Sequence, residues 1–239
     1  MKNKTYLVTG ANSEVGAAIC NLSLREGNTV IALYHSKNDR ISSLDEGLGR
    51  KVLVQADFRE RNSVEALIAH HKKMLSKVDV FISCAAVRND VQYGEISTED
   101  LIEHFSVNTI PHILLTQYLG PLMQRKKWGR IVICSSIGVK FGGGENSFCY
   151  SSSKLAGELI PKAAKEWSVS NVLVNVARVG VTETNSKIAI GEEQIKERAD
   201  LIPMKRLAQP LEIAKFIYWL ASDKNTYITG QIIPISGGE

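Results

Sequence analysis

The sequence contains no apolar run near the ~18 residues needed to cross a bilayer. Met1-Lys2-Asn3-Lys4 leads straight into a strand-like run and not into the apolar core of a signal peptide. A cytoplasmic protein with no membrane partner is therefore expected. Cysteine is scarce: Cys20, Cys84, Cys134 and Cys149 show neither metal-ligand spacing nor a disulfide framework. His35, His70, His71, His104 and His112 likewise show no zinc spacing with acids or thiols, so no metal site is expected. Three of the thiols lie in or beside apolar runs and read as small buried hydrophobes, whereas Cys149 stands directly before Tyr150. Neither charge sign dominates. The net charge is +4, with acids scattered among the bases, which excludes a nucleic-acid stripe and a membrane-surface helix. No linker, repeat or low-complexity stretch interrupts the chain, so residues 1–239 are expected to form one domain.

The 239 residues are 44% apolar and 23% charged, enough for one α/β domain to bury a large core. β-rich runs alternate with helix-like ones. Strands are predicted at Thr5–Thr9, Asn28–Tyr34, Lys51–Gln55, Val78–Ser83, Arg130–Cys134, Val172–Ala177 and Gln231–Ile235. Helices are predicted from Ala17 to Arg25, through the polar segment ending at Leu48, from Asn62 to Ser76, from the capping signal Ser97-Thr98-Glu99-Asp100 past Asn108, around Tyr150, and from Pro210 to Ala221. Repeated βα units call for a doubly wound, Rossmann-type parallel sheet of about seven strands with helices on both faces. Ligands then sit at the carboxyl ends of the strands.

Two local patterns carry chemistry. Gly10-Ala11-Asn12-Ser13-Glu14-Val15-Gly16 stands between the first strand and first helix, where backbone N–H groups and the helix dipole would meet a phosphate; a plain βα turn has the same look. Tyr150 and Lys154 are four residues apart, so on a helix they share a face, and an ammonium beside a phenol favours the phenolate needed for proton transfer. Taken alone, that pair equally fits a packed tyrosine and a snorkelling lysine.

The order of the pieces is more specific than either pattern. The turn begins at Thr9-Gly10, Asp57 and Phe58 follow the third strand, and Ser83-Cys84-Ala85-Ala86 closes the fourth. Asn108 lies in a mid-chain helix, and Ser136 precedes Tyr150 and Lys154. Val179-Gly180-Val181-Thr182-Glu183-Thr184 follows the sixth strand, and Tyr227-Ile228-Thr229-Gly230-Gln231 opens the last. From about Lys4 to Gly238 the chain resembles the short-chain dehydrogenase/reductase family, and within it the 3-oxoacyl-carrier-protein reductases. The resemblance implies Tyr150 as general acid/base, Lys154 as its activator and a ligand of the nicotinamide ribose, Ser136 on the substrate oxygen, and Asn108 supporting a water-linked proton path. It implies cofactor contacts from Gly10, Asn12, Ser13, Glu14, Val15 and Gly16, and from Asp57 and Phe58 at the adenine. Cys84, Ala85 and Ala86 would pass close to the adenosine, and Val179, Gly180, Val181, Thr182 and Thr184 would cradle the carboxamide. Residues 185–201 would form a substrate lid.

The chain departs from the family pattern at Glu14, which replaces a glycine and would compete with the cofactor's pyrophosphate if it pointed inward, and at Ala86, which adds a methyl near the adenosine. Pro161 is expected to bend the Tyr150 helix. NAD users commonly place an acid at the end of the second strand. Here Tyr34-His35-Ser36-Lys37 stands in its place, so NADP(H) is the expected cofactor, with NAD(H) second. The reaction implied is carbonyl reduction or its reverse, with 3-oxoacyl thioesters as one substrate class. A sugar or polyol dehydrogenase, or a nucleotide-sensing protein without turnover, are the alternatives. Arg125-Lys126-Lys127 is a candidate docking run for an acyl carrier protein, and a homodimer or homotetramer is the family's usual assembly.

Overall fold

The computed structural model describes residues 3–45, 47–184 and 191–239. Its centre is a seven-stranded sheet of order β3-β2-β1-β4-β5-β6-β7, every neighbouring pair parallel. The strands are β1 (Thr5–Thr9), β2 (Thr29–Tyr34), β3 (Arg50–Gln55), β4 (Val80–Ser83), β5 (Gly129–Ser136), β6 (Val172–Val179) and β7 (Ile232–Ile235). The central strands read as unbroken apolar runs because both faces are covered, and Tyr6-Leu7-Val8 and Val80-Phe81-Ile82 are fully buried. The edge strands β3 and β7 keep exposed positions.

One face carries α1 (Glu14–Arg25) and α9 (Pro210–Leu220), whose Ile19, Leu24, Ile213 and Ile217 pack with Tyr6, Val8 and Ile82. The other carries α3 (Ser63–Leu75) and α5 (Ile110–Arg125), with Leu67, Leu115 and Leu119 against Leu7, Phe81 and Ile131. Each such side chain stabilises the fold by about 1.5–3 kcal/mol on full burial. The expected single-domain, doubly wound sheet is thus present, and all seven predicted strands form within a few residues of their expected limits.

Three local expectations fail for identifiable reasons. The polar segment before Leu48 is helical only in α2 (Asp39–Ser42); the chain then turns through Gly47 at φ +52° and Gly49, where a Cβ would stand 2.3 Å from the Asn28 carbonyl. The helix expected past Asn108 divides into α4 (Thr98–Asn108) and α5, and Pro111, which lacks an N–H, is accommodated in the first turn of α5. Pro161 breaks the Tyr150 helix and does not merely bend it. α6 (Phe148–Gly157) ends before it, and extended Pro161 (φ −65°, ψ 152°) starts the short α7 (Lys162–Glu166). Of the expected lid, residues 185–190 lie outside the described residues, and the remainder holds the exposed helix α8 (Glu192–Asp200). Among the described residues no helix is long and apolar enough to cross a membrane.

Candidate active site

The strand order reverses between β1 and β4, and a crevice opens at their carboxyl ends, where such sheets hold ligands. Gly10 follows β1 at φ +64°, and a Cβ there would stand 2.7 Å from Ala85 N, so the first turn passes directly against the chain leaving β4. A Cβ on Gly16 would meet the Gly10 carbonyl at 2.2 Å, which makes glycine obligatory at both positions. Ser13 caps α1: its Oγ accepts from Gly16 N at 3.0 Å and donates to the Gly10 carbonyl at 2.8 Å. Thr9 Oγ1 accepts from Cys84 N and Ala85 N at 3.1 Å each, fastening the two strand ends together. The resulting cleft of about 260 Å³ is lined by Gly10, Asn12, Ser13, Asp57, Cys84 and Ala85, among others. A twelve-residue helix whose N-terminus points at a glycine cradle fits a dinucleotide's pyrophosphate.

Glu14 does not close that cleft. Its Oε1 accepts from Arg40 Nη2 at 2.5 Å, so the carboxylate turns towards α2 and is neutralised there. Asp57 takes His35 Nε2 at 3.1 Å on one oxygen and the Arg59 backbone N–H at 2.9 Å on the other.

Further along the carboxyl edge, β5 extends to Ser136, two residues beyond its expected end, and delivers that hydroxyl towards α6. Ser136 Oγ accepts from Gly138 N at 3.2 Å. A Cβ on Gly138 would lie 3.4 Å from Ser136 Oγ and 3.2 Å from Ser151 Oγ, so Ser136 lies near the first turn of α6. Lys154, only 4% exposed, sends Nζ back to the Cys134 carbonyl at 2.9 Å and lies 5.9 Å from the centre of the Tyr150 ring. The Arg88 guanidinium lies 5.8 Å from the same ring and is paired with Asp90.

Two buried clusters fix α6. Asn108 Nδ2 donates to the Val87 carbonyl and to Ser153 Oγ, both at 3.0 Å, while its Oδ1 accepts from Val87 N at 2.7 Å. The Asn108 side chain is therefore spent on holding the loop after β4 to α6. Its carbonyl accepts from His112 Nδ1 at 3.1 Å. Burial first, and then the charge of Lys154, pushes the His112 imidazole down from 6.5 to about 4. At the other end of α6, buried Glu158 accepts from Ser135 Oγ at 2.7 Å and from both ends of the Arg178 guanidinium.

The expected residues gather along one edge of the sheet. Gly10, Asn12, Ser13, Tyr34, His35, Asp57, Phe58, Cys84, Ala85 and Ala86 all line the cleft, whereas Glu14, Val15, Gly16, Ser36 and Lys37 do not. Gly180 and Val181 line a second, smaller cavity with Ile202 and Met204. Thr182 bridges to Ala208, and Val179 is the last residue of β6. Sequence reading missed Arg59, Arg40, His112 and Glu158. Arg59, two residues after Asp57, carried a proximity signal; Arg40 and Glu158 act through partners remote in sequence and carried none, and His112 is marked by its burial. The thiols are also redistributed. Cys20 and Cys149 are the buried ones, and Cys84 and Cys134 are half-buried with sulfurs 3.2 Å apart. Finally, Arg125-Lys126-Lys127 lies before β5, at the opposite end of the sheet from the site. There Lys126 Nζ is held by Asp79 Oδ1 at 2.7 Å and the Val78 carbonyl at 2.5 Å, so the run is not beside the site.

A glycine cradle at the switch point of a parallel sheet, with a Ser-Tyr-Lys group beyond it, defines a dinucleotide-binding α/β oxidoreductase. Comparison with known proteins narrows the class. The family profile described as Enoyl-(Acyl carrier protein) reductase matches residues 10–239. The chain is 32% identical over 252 positions to oxidoreductase UcpA of Salmonella typhimurium, covering 100% of this chain and 95% of that one. It is 30% identical over 244 positions to 3-oxoacyl-(acyl-carrier-protein) reductase FabG of Aquifex aeolicus, covering 100% and 98%. The crystal structure of 3-oxoacyl (acyl-carrier-protein) reductase from Agrobacterium tumefaciens with NADP bound superposes with a TM-score of 0.89 at 26% identity, covering 100% of this chain and 95% of that one. The chain belongs to the short-chain dehydrogenase/reductase family, nicotinamide-dependent enzymes acting on CH–OH and carbonyl groups, and resembles the FabG-type reductases within it.

Proposed function

We propose that the protein is an NADP(H)-dependent reductase of small carbonyl compounds, reversible as an alcohol dehydrogenase, with 3-oxoacyl thioesters as the leading substrate class. The observation that carries this reading is α6 itself, which keeps Tyr150 half-exposed with the buried Lys154 ammonium 5.9 Å from its ring. Bound cofactor supplies the hydride to the carbonyl carbon, or accepts it in reverse. The negative charge that develops on the substrate oxygen is met by the Ser136 hydroxyl and by Tyr150, which delivers the proton. Lys154 stabilises the phenolate left on Tyr150 and holds the cofactor's ribose. Asn108 acts as a positioning residue whose side chain keeps α6 and the loop after β4 in register.

For the cofactor's far end, the backbone of Gly10, Asn12, Ser13 and Gly16 and the start of α1 would hold the pyrophosphate, with Asp57 and Phe58 at the adenine. Val179 to Thr184 would hold the carboxamide, and residues 185–201 would cover the substrate. Preference for NADP(H) rests on the exposed His35, Ser36 and Lys37 and on the lack of any acid between Tyr34 and Asp39. An acyl carrier protein, if it is the thioester donor, must dock near Arg88 and not at the remote Lys126 run. The α4, α5 and α6 surface, which leaves Ile102, Ile113 and Leu155 exposed, supports a two-fold homodimer or tetramer. Free thiols fit a reducing cytoplasm.

A second reading, a sugar or polyol dehydrogenase, is favoured by the Gly142-Gly143-Gly144-Glu145-Asn146 loop ahead of α6, exposed except at Gly143; all three glycines have positive φ, and the Asn146 carbonyl accepts from Val91 N. Assaying acetoacetyl thioesters and a polyol panel with both cofactors tests the proposal. NADPH-dependent thioester reduction that disappears in Tyr150→Phe, with the circular-dichroism spectrum retained, is expected. Tighter binding of NADH than NADPH, or near-parent turnover by Tyr150→Phe, would overturn it.

A further inference from the structure

Cys84 follows β4 and Cys134 lies in β5. The register Ser83↔Ile133 continues to place them opposite each other on neighbouring strands. Such strands run about 4.8 Å apart, inside the Cα separation that a disulfide spans. Both side chains lie on the α1/α9 face of the sheet, and their sulfurs share a hydrogen bond at 3.2 Å. Closing that distance to a bond of about 2.05 Å takes only a small shift. Both residues are half-buried, and Cys84 lines the cleft, so the pair borders the cofactor side at Cys84.

The geometry points to Cys84 and Cys134 as a redox dithiol that low-molecular-weight disulfides convert to an intramolecular disulfide, a modification site set into the floor of the cofactor cleft. The two sulfurs divide the work. The shared hydrogen bond with Cys84, and then the Lys154 ammonium at the Cys134 carbonyl, lower the Cys134 thiol below its usual range, while the same hydrogen bond and burial raise Cys84. The Cys134 thiolate attacks one sulfur of the reagent RSSR, forming a mixed disulfide and releasing RS⁻. Cys84 then loses its proton and attacks the Cys134 sulfur, releasing the second RS⁻. Two protein thiols are oxidised by two electrons, RSSR is reduced to two RSH, and the two thiol protons end on the released thiolates. The other cysteines are unsuited to compete: burial pushes the Cys20 thiol up to about 12 and raises Cys149 as well.

The bond has a consequence for the cleft, and this part rests on the reading above. Cys84 N is clamped to Thr9 and its carbonyl carbon would touch a Cβ on Gly10 at 2.8 Å, while the Cys134 carbonyl anchors Lys154. Drawing the two sulfurs together therefore moves the cradle wall, the lysine anchor or both, and weakens dinucleotide binding.

The test incubates the full chain with glutathione disulfide and reads intact mass and digested peptides. Loss of two hydrogens and a Cys84–Cys134 linked peptide, both reversed by dithiothreitol, are expected. Cys84→Ser should stop at a glutathione adduct on Cys134, and Cys149→Ser should crosslink like the parent. Thiols that stay free, a stable glutathione adduct on the parent chain, or a crosslink to Cys20 or Cys149 would overturn the assignment. None of these readouts needs a cofactor, so they decide the dithiol even if NADPH does not bind. The oxidised chain should bind NADPH on the order of tenfold more weakly than the reduced chain; equal affinities would overturn the effect on the cleft.

Discussion

At the scale of single residues, a carboxylate in the first turn of a phosphate-facing helix is harmless only while something neutralises it. Arg40 does so for Glu14. Arg40→Ala should weaken NADPH binding by roughly five- to tenfold, the scale of one helix-terminus charge, and adding Glu14→Gln should restore it. Fluorescence titration of the two variants checks this. His112 sets a second residue-scale expectation. The folded protein holds it neutral down to about 4, whereas the unfolded chain takes up its proton near 6.5. Between those values the unfolded state binds more protons, so stability is complete above 6.5 and is lost as pH falls towards about 4. The group accounts for roughly 2 kcal/mol between pH 7 and pH 5. Urea melts at those two pH values should show a smaller difference in His112→Asn than in the parent. An unchanged difference would remove His112 from the titration.

At the scale of elements, α6 is short, broken before Pro161, and held at both ends by partners from other parts of the chain. Its Gly157 exists for packing, since a Cβ there would stand 2.7 Å from His112 Cε1. At the same end, Glu158→Ala leaves Arg178 and Ser135 without their buried acceptor. Part of the Arg178 side chain is open to solvent, which moderates the cost to about 2–3 kcal/mol. The urea midpoint should fall without a change in slope. Turnover should fall further than stability alone explains, because the helix that carries Tyr150 and Lys154 loses its anchor.

At the scale of the whole molecule, the sheet leaves two unfinished surfaces. One is the α4, α5 and α6 face with Ile113 and Leu155; the other is the β7 edge, where Ile232 and the 95%-exposed Tyr227 face outward. Burying both by two-fold axes yields a tetramer, and burying the first alone yields a dimer. The double variant Ile113→Asp, Leu155→Asp should elute as a monomer with unchanged circular dichroism, while the parent elutes as a larger species. A monomeric parent would sink the proposed assembly.

The sequence by itself determined the sheet and most of the helices, and it pointed to the Tyr150–Lys154 pair; Ser136 joined that pair only through the family resemblance. Each of those signals is local: apolar runs of strand length, capping residues before a helix, a four-residue spacing on one helix face. It also gave away the glycine turn, because Gly10 and Gly16 answer to steric demands a few residues apart. Only the tertiary structure decided where Glu14 points, what Asn108 holds, why His112 is neutral, and that Cys84 and Cys134 meet. Those outcomes depend on pairs brought together across 21 or more residues by strand order and helix packing, and on burial. No local spacing encodes either one.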